Sequence, residues 1–398
     1  MKIYLIAGEP SGDRLGAALM AGLKALHDEI SFHGVGGPLM QAEGLDSLFP
    51  MDNLSVMGLA EVLPRLRSLL RLRDDAVADV LEQAPEVLIT IDSPDFCLRV
   101  ARKVKASNPA IKTVHYVAPT VWAWRPRRAA KMTGAIDHVL ALFPFEPPYM
   151  EAAGMGCDFV GHPVVAEPVA SEEEATAFRT KHGLGENPVI LVLPGSRMGE
   201  VGRLTPVFGE ALRKVLKSMP KARAVIVSAS PVAARVRELV KGWPGQPVVV
   251  DPRGRGNDRA QAEKRAAFRA ADLALAASGT VSLELAASGT PMVIAYDMNW
   301  LSRQMIKRML QVDTVTLVNL VSESRAVPEF LGENCKPEEI AAALIALGTD
   351  DAARQAQIAA GTLTMDRLGR GAEAPGLRAA RAVLNVAGIP PKGDVSGG

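Results

Sequence analysis

Residues 3–17 read IYLIAGEPSGDRLGA, a short apolar run followed by a glycine-rich turn. Three glycines and one serine surround two acids, Glu9 and Asp13, and a helical pattern follows over Gly16–Leu26. A strand that leads through such a turn into a helix is typical of a parallel α/β sheet. Turns of this kind often hold phosphate at the helix N-terminus, but two carboxylates would repel an anion. The stretch therefore predicts an α/β fold and raises the question of which ligand an acidic turn would meet.

Length and composition set broad limits on the chain. Its 398 residues are too many for one ordinary core, so we expect two domains of similar size. The formal net charge of +1 gives no general signal for nucleic acid. Cys97, Cys157 and Cys335 lie far apart without a CxxC pair, which fits a reducing compartment. The N-terminus lacks the apolar stretch of a signal peptide, so we expect a cytoplasmic protein.

Short apolar runs alternate with helical patterns in both halves of the chain. Strands separated by helices form βαβ units, which build a parallel sheet with helices on both faces. The predicted fold class is α/β, with two Rossmann-like, doubly wound parallel-sheet domains in tandem. The predicted strands are Ile3–Ala7, Ser31–Val35, Glu86–Ile91, Thr113–Val117, Val139–Leu142, Cys157–Val160, Pro188–Leu193, Ala224–Ser228, Val248–Val250, Leu273–Ala276 and Met292–Ala295.

A segment rich in proline and small residues, GHPVVAEPVAS at Gly161–Ser171, separates the two halves. We place the first domain at residues 1–165 and the second at residues 166–370. Residues 371–398 are expected to form a helix, over Arg378–Val386, and a disordered tail. In open parallel sheets, ligands bind beyond the carboxyl ends of the strands. Two such domains predict an interdomain cleft lined by the loops that follow the strands.

The stretch LPGSR in the second domain follows a predicted strand and precedes a helix. Gly195 allows close backbone approach, Ser196 can cap the helix, and Arg197 supplies a cation. These features suit the diphosphate of a nucleotide. The alternative is an ordinary capped turn.

The stretch ASGTVSLE lies in the same domain and has a related pattern. A strand ends at Ser278, and Gly279 and Thr280 open a helix whose first N–H groups are free to bind an anion. Glu284, on the first turn, can accept hydrogen bonds from two vicinal ribose hydroxyls. The alternative role of Glu284 is to favour the helix dipole. Together, the two loops predict a nucleotide site.

In the first domain, IDSPDF places Asp92 at the carboxyl end of a predicted strand. A general base that deprotonates an attacking hydroxyl would lie at such a position. The alternative is that Asp92 or Asp95 caps the next helix.

Two further segments carry aromatic or apolar residues beside arginines. HYVAPTVWAWRPRR includes Trp124 and Arg125, which suit a phosphorylated, partly apolar ligand, although a packed loop with a basic end is the alternative. SVMGLAEVLPRLRSLLRLR, Ser55–Arg73, is amphipathic and suits a membrane surface or acyl chains; a core helix with outward charges is equally compatible. The sequence contains no P-loop, no dinucleotide fingerprint and no recognisable metal-ligand cluster.

These motifs together resemble the lipid-A-disaccharide synthase family, inverting glycosyltransferases of lipid A biosynthesis in Gram-negative bacteria. The resemblance runs from Met1 to about Leu347 through AGEPSGDRLGA, GVGGPLMQAEG, SVMGLAEVL, IDSPDF, HYVAPTVWAWRPRR, FPFE, FVGHP, LPGSR, SGTVSLE and VPEFL. It implies a GT-B fold, with the C-terminal helix packing back on the first domain. It also implies UDP-2,3-diacylglucosamine as donor, 2,3-diacylglucosamine 1-phosphate (lipid X) as acceptor, and a β-1,6-linked disaccharide 1-phosphate and UDP as products.

The resemblance also assigns roles to residues, with no cofactor and no metal. Asp92 would be the base that deprotonates the acceptor 6-hydroxyl, and Glu9 would share the proton handling. The acidic turn is then explained by contacts with sugar hydroxyls and amides. Acceptor-binding residues would be Ser11, Gly12, Asp13, Trp124 and Arg125. Residues for the UDP-sugar would be Gly195, Ser196, Arg197, Ser278, Gly279, Thr280, Glu284 and Asn319.

The family resemblance carries expectations about partners as well. We expect peripheral association with the inner-membrane surface, no nucleic acid, and a chain compatible with a homodimer. The segment LVNLVSESRAVPEFL departs from the usual family pattern, since Val318 replaces a proline and Arg325 falls one position late. The role of Arg325 stays open. The alternative function is another GT-B enzyme that uses a UDP-N-acetylglucosamine donor, either a lipid-linked muramyl peptide transferase or a 2-epimerase.

Overall fold

A computed structural model of the chain describes residues 1–54, 59–121, 127–298, 304 and 312–392, without the side chains of residues 59–65 and 127. The chain forms two compact units. Unit 1 comprises Met1–Ala166 together with the chain from Gly371 onward, and unit 2 comprises Glu167–Arg370.

Unit 1 is built on a parallel sheet of seven strands in the order β3-β2-β1-β4-β5-β6-β7. Its central strands β1 and β4 are fully buried over most of their length, as expected for a sheet that helices cover on both faces. The strands are β1 Lys2–Ala7, β2 Ser31–Val35, β3 Asp46–Ser47, β4 Val87–Ile91, β5 Lys112–Tyr116, β6 His138–Ala141 and β7 Gly156–Phe159. The helices between them are α1 Pro10–Leu26, α2 Pro38–Ala42, α3 Leu59–Gln83, α4 Pro94–Ser107, α5 Arg127–Ala130 and α6 Pro147–Glu151.

Unit 2 repeats this plan with six parallel strands in the order β10-β9-β8-β11-β12-β13. The strands are β8 Val189–Leu193, β9 Arg223–Val227, β10 Val248–Val250, β11 Leu273–Ala277, β12 Met292–Tyr296 and β13 Glu329–Leu331. The described helices are α7 Glu172–Lys181, α8 Met198–Ser218, α9 Ala233–Leu239, α10 Asn257–Arg269, α11 Val281–Ala287, α12 Leu317–Ser322, α13 Pro337–Thr349 and α14 Asp351–Arg367.

The last described helix, α15 Pro375–Ala387, packs against α1 in unit 1. The two helices approach closely because glycines face each other. A Cβ on Gly376 would lie 2.6 Å from the carbonyl oxygen of Ala18, and one on Gly22 would lie 2.7 Å from that of Gly376. Arg378 ties the helix to β7 by donating to the carbonyl oxygen of Phe159 at 2.6 Å. The C-terminal helix is thereby part of unit 1.

The predicted fold class, two Rossmann-like parallel-sheet α/β units, is confirmed. Helix α1 begins at Pro10, six residues before the predicted Gly16. Glycines usually weaken a helix, but Gly12 lies tightly between the side chains of Ala7 and Ile91, so packing outweighs propensity. The short edge strands β3 and β13 were not predicted, because runs of only two or three residues are too short to show a periodic pattern. Among the described residues, no helix is long and apolar enough to cross a membrane.

Candidate functional sites at two strand reversals

In unit 1, the chain order reverses between β1 and β4, which lie side by side at the centre of the sheet. Ala7 at the end of β1 is paired with Ile91 at the end of β4. The loops after these strands therefore begin next to each other and diverge to opposite faces, which leaves a crevice. This arrangement brings the acidic turn and the IDSPDF segment together.

Asp92 lies at this point in an uncommon backbone conformation. Asp92 and Ser93 have φ of +52° and +41°, in the left-handed region that non-glycine residues rarely occupy. The Asp92 N–H donates to the carbonyl oxygen of Tyr116 at 2.9 Å. Its half-buried carboxylate accepts no hydrogen bond from the described part of the chain. Strained residues with unsatisfied polar groups concentrate at functional sites, so the geometry favours Asp92 as a reactive group.

Gly8 makes this conformation possible. A Cβ at Gly8 would lie 2.6 Å from Ser93 Oγ, so a larger residue would push the β1 and β4 loops apart. Glu9 is half-buried in extended backbone at the start of α1, and Ser11 is exposed on its first turn. Both side chains are thus near the end of β1 and accessible from solvent. Gly12 is buried and has no side chain, so only its neighbours offer side chains to a ligand.

Asp13, the second acid of the turn, is buried within unit 1. It is 3% exposed, and its carboxylate accepts hydrogen bonds from the N–H groups of Gly37, Leu39 and Met40, each at 3.0 Å. The carboxylate thus occupies the N-terminus of α2, where free N–H groups and the helix dipole favour an anion. The second acid of the turn meets backbone amides of its own unit rather than solvent, and a role in acceptor binding stays a prediction.

Other candidate groups of unit 1 are excluded as bases or nucleophiles by burial. Burial, together with the charge of Arg128, lowers the pKa of His115 to about 4, and burial lowers that of His162 to about 4. Burial and the nearby Asp92 raise the pKa of the Cys97 thiol. These groups are uncharged near neutral pH and inaccessible. Trp124 and Arg125 lie outside the described residues.

Unit 2 has the same reversal between β8 and β11. Leu193, the last residue of β8, is paired with Ala276 of β11. The LPGSR loop follows β8, and the SGT loop follows β11. The two loops that were predicted to hold a nucleotide therefore leave neighbouring strands at the crevice of this sheet.

In the β8 loop, the backbone donors are already used by Glu200. Its Oε2 accepts from the N–H groups of Ser196 at 3.1 Å and Arg197 at 3.3 Å, and Gly195 (φ +111°) leaves room for this carboxylate. The prediction that Ser196 caps the helix is wrong, because Arg197 is the N-cap residue of α8. The Arg197 side chain is 63% exposed, which leaves its guanidinium as the group of this loop most available to a diphosphate.

In the β11 loop, Ser278 is half-buried, whereas Gly279 and Thr280 are exposed at the start of α11. Glu284 lies on the first turn of α11 and forms an ion pair with Lys264 of α10, with Nζ 2.5 Å from Oε2. These residues have the exposure and the position that the nucleotide hypothesis requires.

Asn319, predicted to contact the UDP-sugar, is 1% exposed. Its Nδ2 donates to the carbonyl oxygen of Val327 at 2.9 Å and to Thr314 Oγ1 at 3.2 Å, while its Oδ1 accepts from the Val327 N–H at 3.0 Å. The amide therefore joins two segments of unit 2. Its side chain is occupied within the protein, and donor binding by Asn319 stays a prediction.

Sequence reasoning missed Glu200 and Lys264. Glu200 stands three positions after the N-cap, a spacing that signals a helix N-terminus and was available in the sequence. Lys264 carries no such signal, because only the fold brings α10 beside α11. Among the described residues, no group of three or more His, Cys, Asp or Glu side chains could hold a metal ion.

Comparisons with known proteins show the family of the chain. The family model for lipid-A-disaccharide synthetase matches residues 3–373. The chain belongs to the lipid-A-disaccharide synthetase family. The lipid-A-disaccharide synthase of Ruegeria pomeroyi is 62% identical over 385 residues, covering 97% of this chain and 95% of the relative. That of Rhodospirillum centenum is 46% identical over 386 residues, covering 96% and 94%.

Solved structures resemble the chain in fold. The complex of S. aureus MnaA with UDP has a TM-score of 0.63 at 12% identity, covering 97% of this chain and 95% of that one. Anabaena HepE in complex with UDP-glucose has a TM-score of 0.60 at 14% identity, covering 96% and 99%. At this identity, the likeness concerns the fold alone. The family match, in contrast, spans both strand reversals.

Replacement of Asp13 tests whether its carboxylate stabilises the fold through its hydrogen bonds to the start of α2. In Asp13→Asn, one carboxylate oxygen becomes an NH2 group that cannot accept a hydrogen bond, beside three backbone donors. We expect the free energy of unfolding to fall by about 2–4 kcal/mol, measured by urea denaturation. Asp75→Asn is the control, because Asp75 is exposed on α3 and makes no hydrogen bond with the described residues; its effect should stay within about 0.5 kcal/mol. Unchanged stability with weakened acceptor binding would contradict the structural role.

Proposed function

We propose that the chain is an inverting glycosyltransferase that makes the lipid A disaccharide. It transfers 2,3-diacylglucosamine from UDP to the 6-hydroxyl of 2,3-diacylglucosamine 1-phosphate, giving a β-1,6-linked disaccharide 1-phosphate and UDP. The observation that carries this proposal is the 62% identity, over 97% of the chain, to a protein named lipid-A-disaccharide synthase. The two strand reversals support it by offering separate places for two substrates.

In this proposal, unit 2 binds the donor. The exposed guanidinium of Arg197 contacts the diphosphate, with the start of α11 contributing N–H groups, and Glu284 accepts hydrogen bonds from the ribose. The solvent-accessible positions of these groups, on loops that follow neighbouring strands, support the assignment. The proposed donor site comprises Gly195, Ser196, Arg197, Ser278, Gly279, Thr280, Glu284 and Asn319.

Unit 1 then binds the acceptor. Asp92 is the proposed base, since its carboxylate lies at the carboxyl end of β4 without a hydrogen-bond donor among the described residues. Glu9 and Ser11 contact sugar hydroxyls from the neighbouring loop, and Asp13 keeps that loop in place through α2. This division explains an acidic turn at the mouth of a parallel sheet: one acid faces the ligand and the other binds backbone amides.

The chemical step follows from these positions. Asp92 takes the proton of the acceptor 6-hydroxyl, and the oxygen attacks C1 of the donor sugar from the face opposite UDP. The bond between C1 and the β-phosphate oxygen breaks, its electron pair leaves with UDP, and the configuration at C1 inverts. Arg197 stabilises the charge that develops on the leaving diphosphate. One base and one cationic group are sufficient for this displacement.

The alternative, another GT-B enzyme with a UDP-N-acetylglucosamine donor, is not favoured. The structural resemblance to a UDP-N-acetylglucosamine 2-epimerase of Neisseria meningitidis has only 11% sequence identity. Eight relatives at 42% to 62% identity are named lipid-A-disaccharide synthase. The fold is shared, but the similarity in sequence belongs to the disaccharide synthases.

Asp92→Asn tests the proposed base. Because the amide cannot accept the proton, we expect the rate of disaccharide formation to fall by about 10²–10⁴-fold, with UDP affinity unchanged. The assay follows UDP release and disaccharide formation from both lipid substrates, with EDTA present. The matched control is Asp95→Asn, three residues along the same segment and 97% exposed at its side chain, which should retain activity.

Two outcomes of this assay would change the account. If Asp92→Asn keeps nearly full activity while Glu9→Gln loses it, the base is Glu9 and the function stands. If the wild-type protein binds UDP but forms no disaccharide from these substrates, the proposed function is wrong.

We also propose peripheral association with the inner-membrane surface, through α3. Leu66 is 42% exposed there, and Arg67 and Arg71 are exposed nearby. Exposed leucine with flanking arginines favours an anionic lipid interface. A homodimer, which the family resemblance allows, stays a prediction.

Sedimentation with anionic phospholipid vesicles tests this attachment. Binding should weaken as salt rises, because salt screens the arginine charges, and Arg67→Gln with Arg71→Gln should lower it by about tenfold or more. Arg99→Gln, an exposed arginine on α4, is the control. Vesicle binding that is unchanged by high salt and by both replacements would refute an electrostatic attachment through α3.

A further inference from the structure

Lys264 on α10 makes a direct contact with the proposed ribose-binding acid. Its Nζ lies 2.5 Å from Glu284 Oε2, and the two side chains are 29% and 28% exposed. Both groups are thus partly removed from water, where an ion pair holds its geometry better than at an open surface. Glu284 Oε1 accepts no hydrogen bond from the described residues, so one carboxylate oxygen stays available for a ligand.

The ammonium group of Lys264 is also held in place by an aromatic ring. Its Nζ lies 5.3 Å from the centroid of the Phe268 ring, which is 2% exposed. A cation over an aromatic face is attracted by the ring electrons, so the ammonium is held between a ring and a carboxylate. A flexible side chain is in this way confined to one region.

The two helices that carry this pair are tied together at their far ends. Arg269 Nη1 donates to the carbonyl oxygen of Ser288 at 3.0 Å, and Thr290 Oγ1 donates to that of Phe268 at 2.8 Å. The ion pair therefore spans two elements with a fixed separation. A displacement of the Lys264 ammonium would leave Glu284 free to rotate about its side-chain bonds.

We propose that Lys264 is a positioning residue for donor binding, which holds the Glu284 carboxylate so that its free oxygen meets the ribose hydroxyls. This inference rests on the proposed function, in which Glu284 binds the ribose. Lys264 itself touches neither the nucleotide nor the reacting atoms. Lys264 already restricts the Glu284 side chain before the nucleotide binds, so less conformational entropy is lost on binding. This increases the affinity without a new contact to the nucleotide.

The test measures dissociation constants by calorimetry on the full chain, with UDP and with 2′,3′-dideoxy-UDP. In the wild type, the hydroxyls should make UDP bind about tenfold or more tightly, because each hydrogen bond is to a charged acceptor. Lys264→Met and Lys264→Gln should weaken UDP by about three- to tenfold and leave dideoxy-UDP nearly unchanged. Two replacements are used so that at least one folded variant lacks the positive charge. Lys264→Arg keeps the charge and should therefore keep the preference for UDP over dideoxy-UDP.

Further variants separate the inference from the function on which it rests. Glu284→Gln should remove most of the preference for UDP, and the double variant with Lys264→Met should bind no worse than Glu284→Gln, because both changes act on one contact. Lys214→Met is the control, since Lys214 pairs with Glu338 at 3.0 Å elsewhere in unit 2 and should have no effect.

The contradictory results are distinct. If Glu284→Gln loses the preference for UDP but the Lys264 variants retain it fully, the positioning role is wrong and the proposed ribose contact stands. If Glu284→Gln itself retains the preference, the ribose contact in the proposed function is wrong. If Lys264→Met weakens both nucleotides equally, Lys264 acts by a route other than the ribose.

Discussion

The strand order of each sheet is the constraint on which the candidate sites depend. In a parallel sheet, every strand ends at the same edge, and a crevice forms only where successive connections pass to opposite faces. This happens between β1 and β4 in unit 1 and between β8 and β11 in unit 2. Because the strands at each reversal are paired at or next to their last residues, loops that are about 80 residues apart in sequence begin side by side. No single stretch of sequence contains all the side chains of either candidate site, because each site combines two loops that only the fold brings together.

The candidate polar residues of the two units divide into those whose side chains bind the protein backbone and those whose side chains remain accessible to a ligand. Asp13 binds three backbone N–H groups, Asn319 binds the Val327 backbone, and Glu200 binds the N–H groups of the β8 loop. Each of these contacts fixes a loop. Asp92 in unit 1 makes no side-chain hydrogen bond with the described residues, and Arg197 in unit 2 is 63% exposed at its side chain although it pairs with Glu200; both are among the residues proposed to meet a ligand. The division matches a hydroxyl to be deprotonated and a diphosphate to be stabilised.

Much of the fold could be predicted from the sequence, because buried parallel strands are apolar runs between turns. Ser31–Val35 and Val248–Val250 were predicted with their observed bounds. The start of α1 was not, since Gly12 favours a loop by propensity but packs tightly against Ala7 and Ile91 within the helix. The candidate positions Asp92, Arg197 and Glu284 followed from motifs at strand ends. A motif does not show whether a side chain already bonds a backbone group distant in sequence, as the carboxylate of Asp13 and the amide of Asn319 do. Nor does it show which cation pairs with Glu284, because only the fold brings the two together.

The central claim is that each strand reversal serves a different substrate, with the nucleotide at the one in unit 2. A crystal structure of the full chain with UDP tests it most directly. The account predicts the diphosphate beside Arg197 and the start of α11, with the ribose hydroxyls on Glu284. Electron density for the nucleotide phosphates beside Asp92 and Glu9, at the ends of β4 and β1, would contradict it.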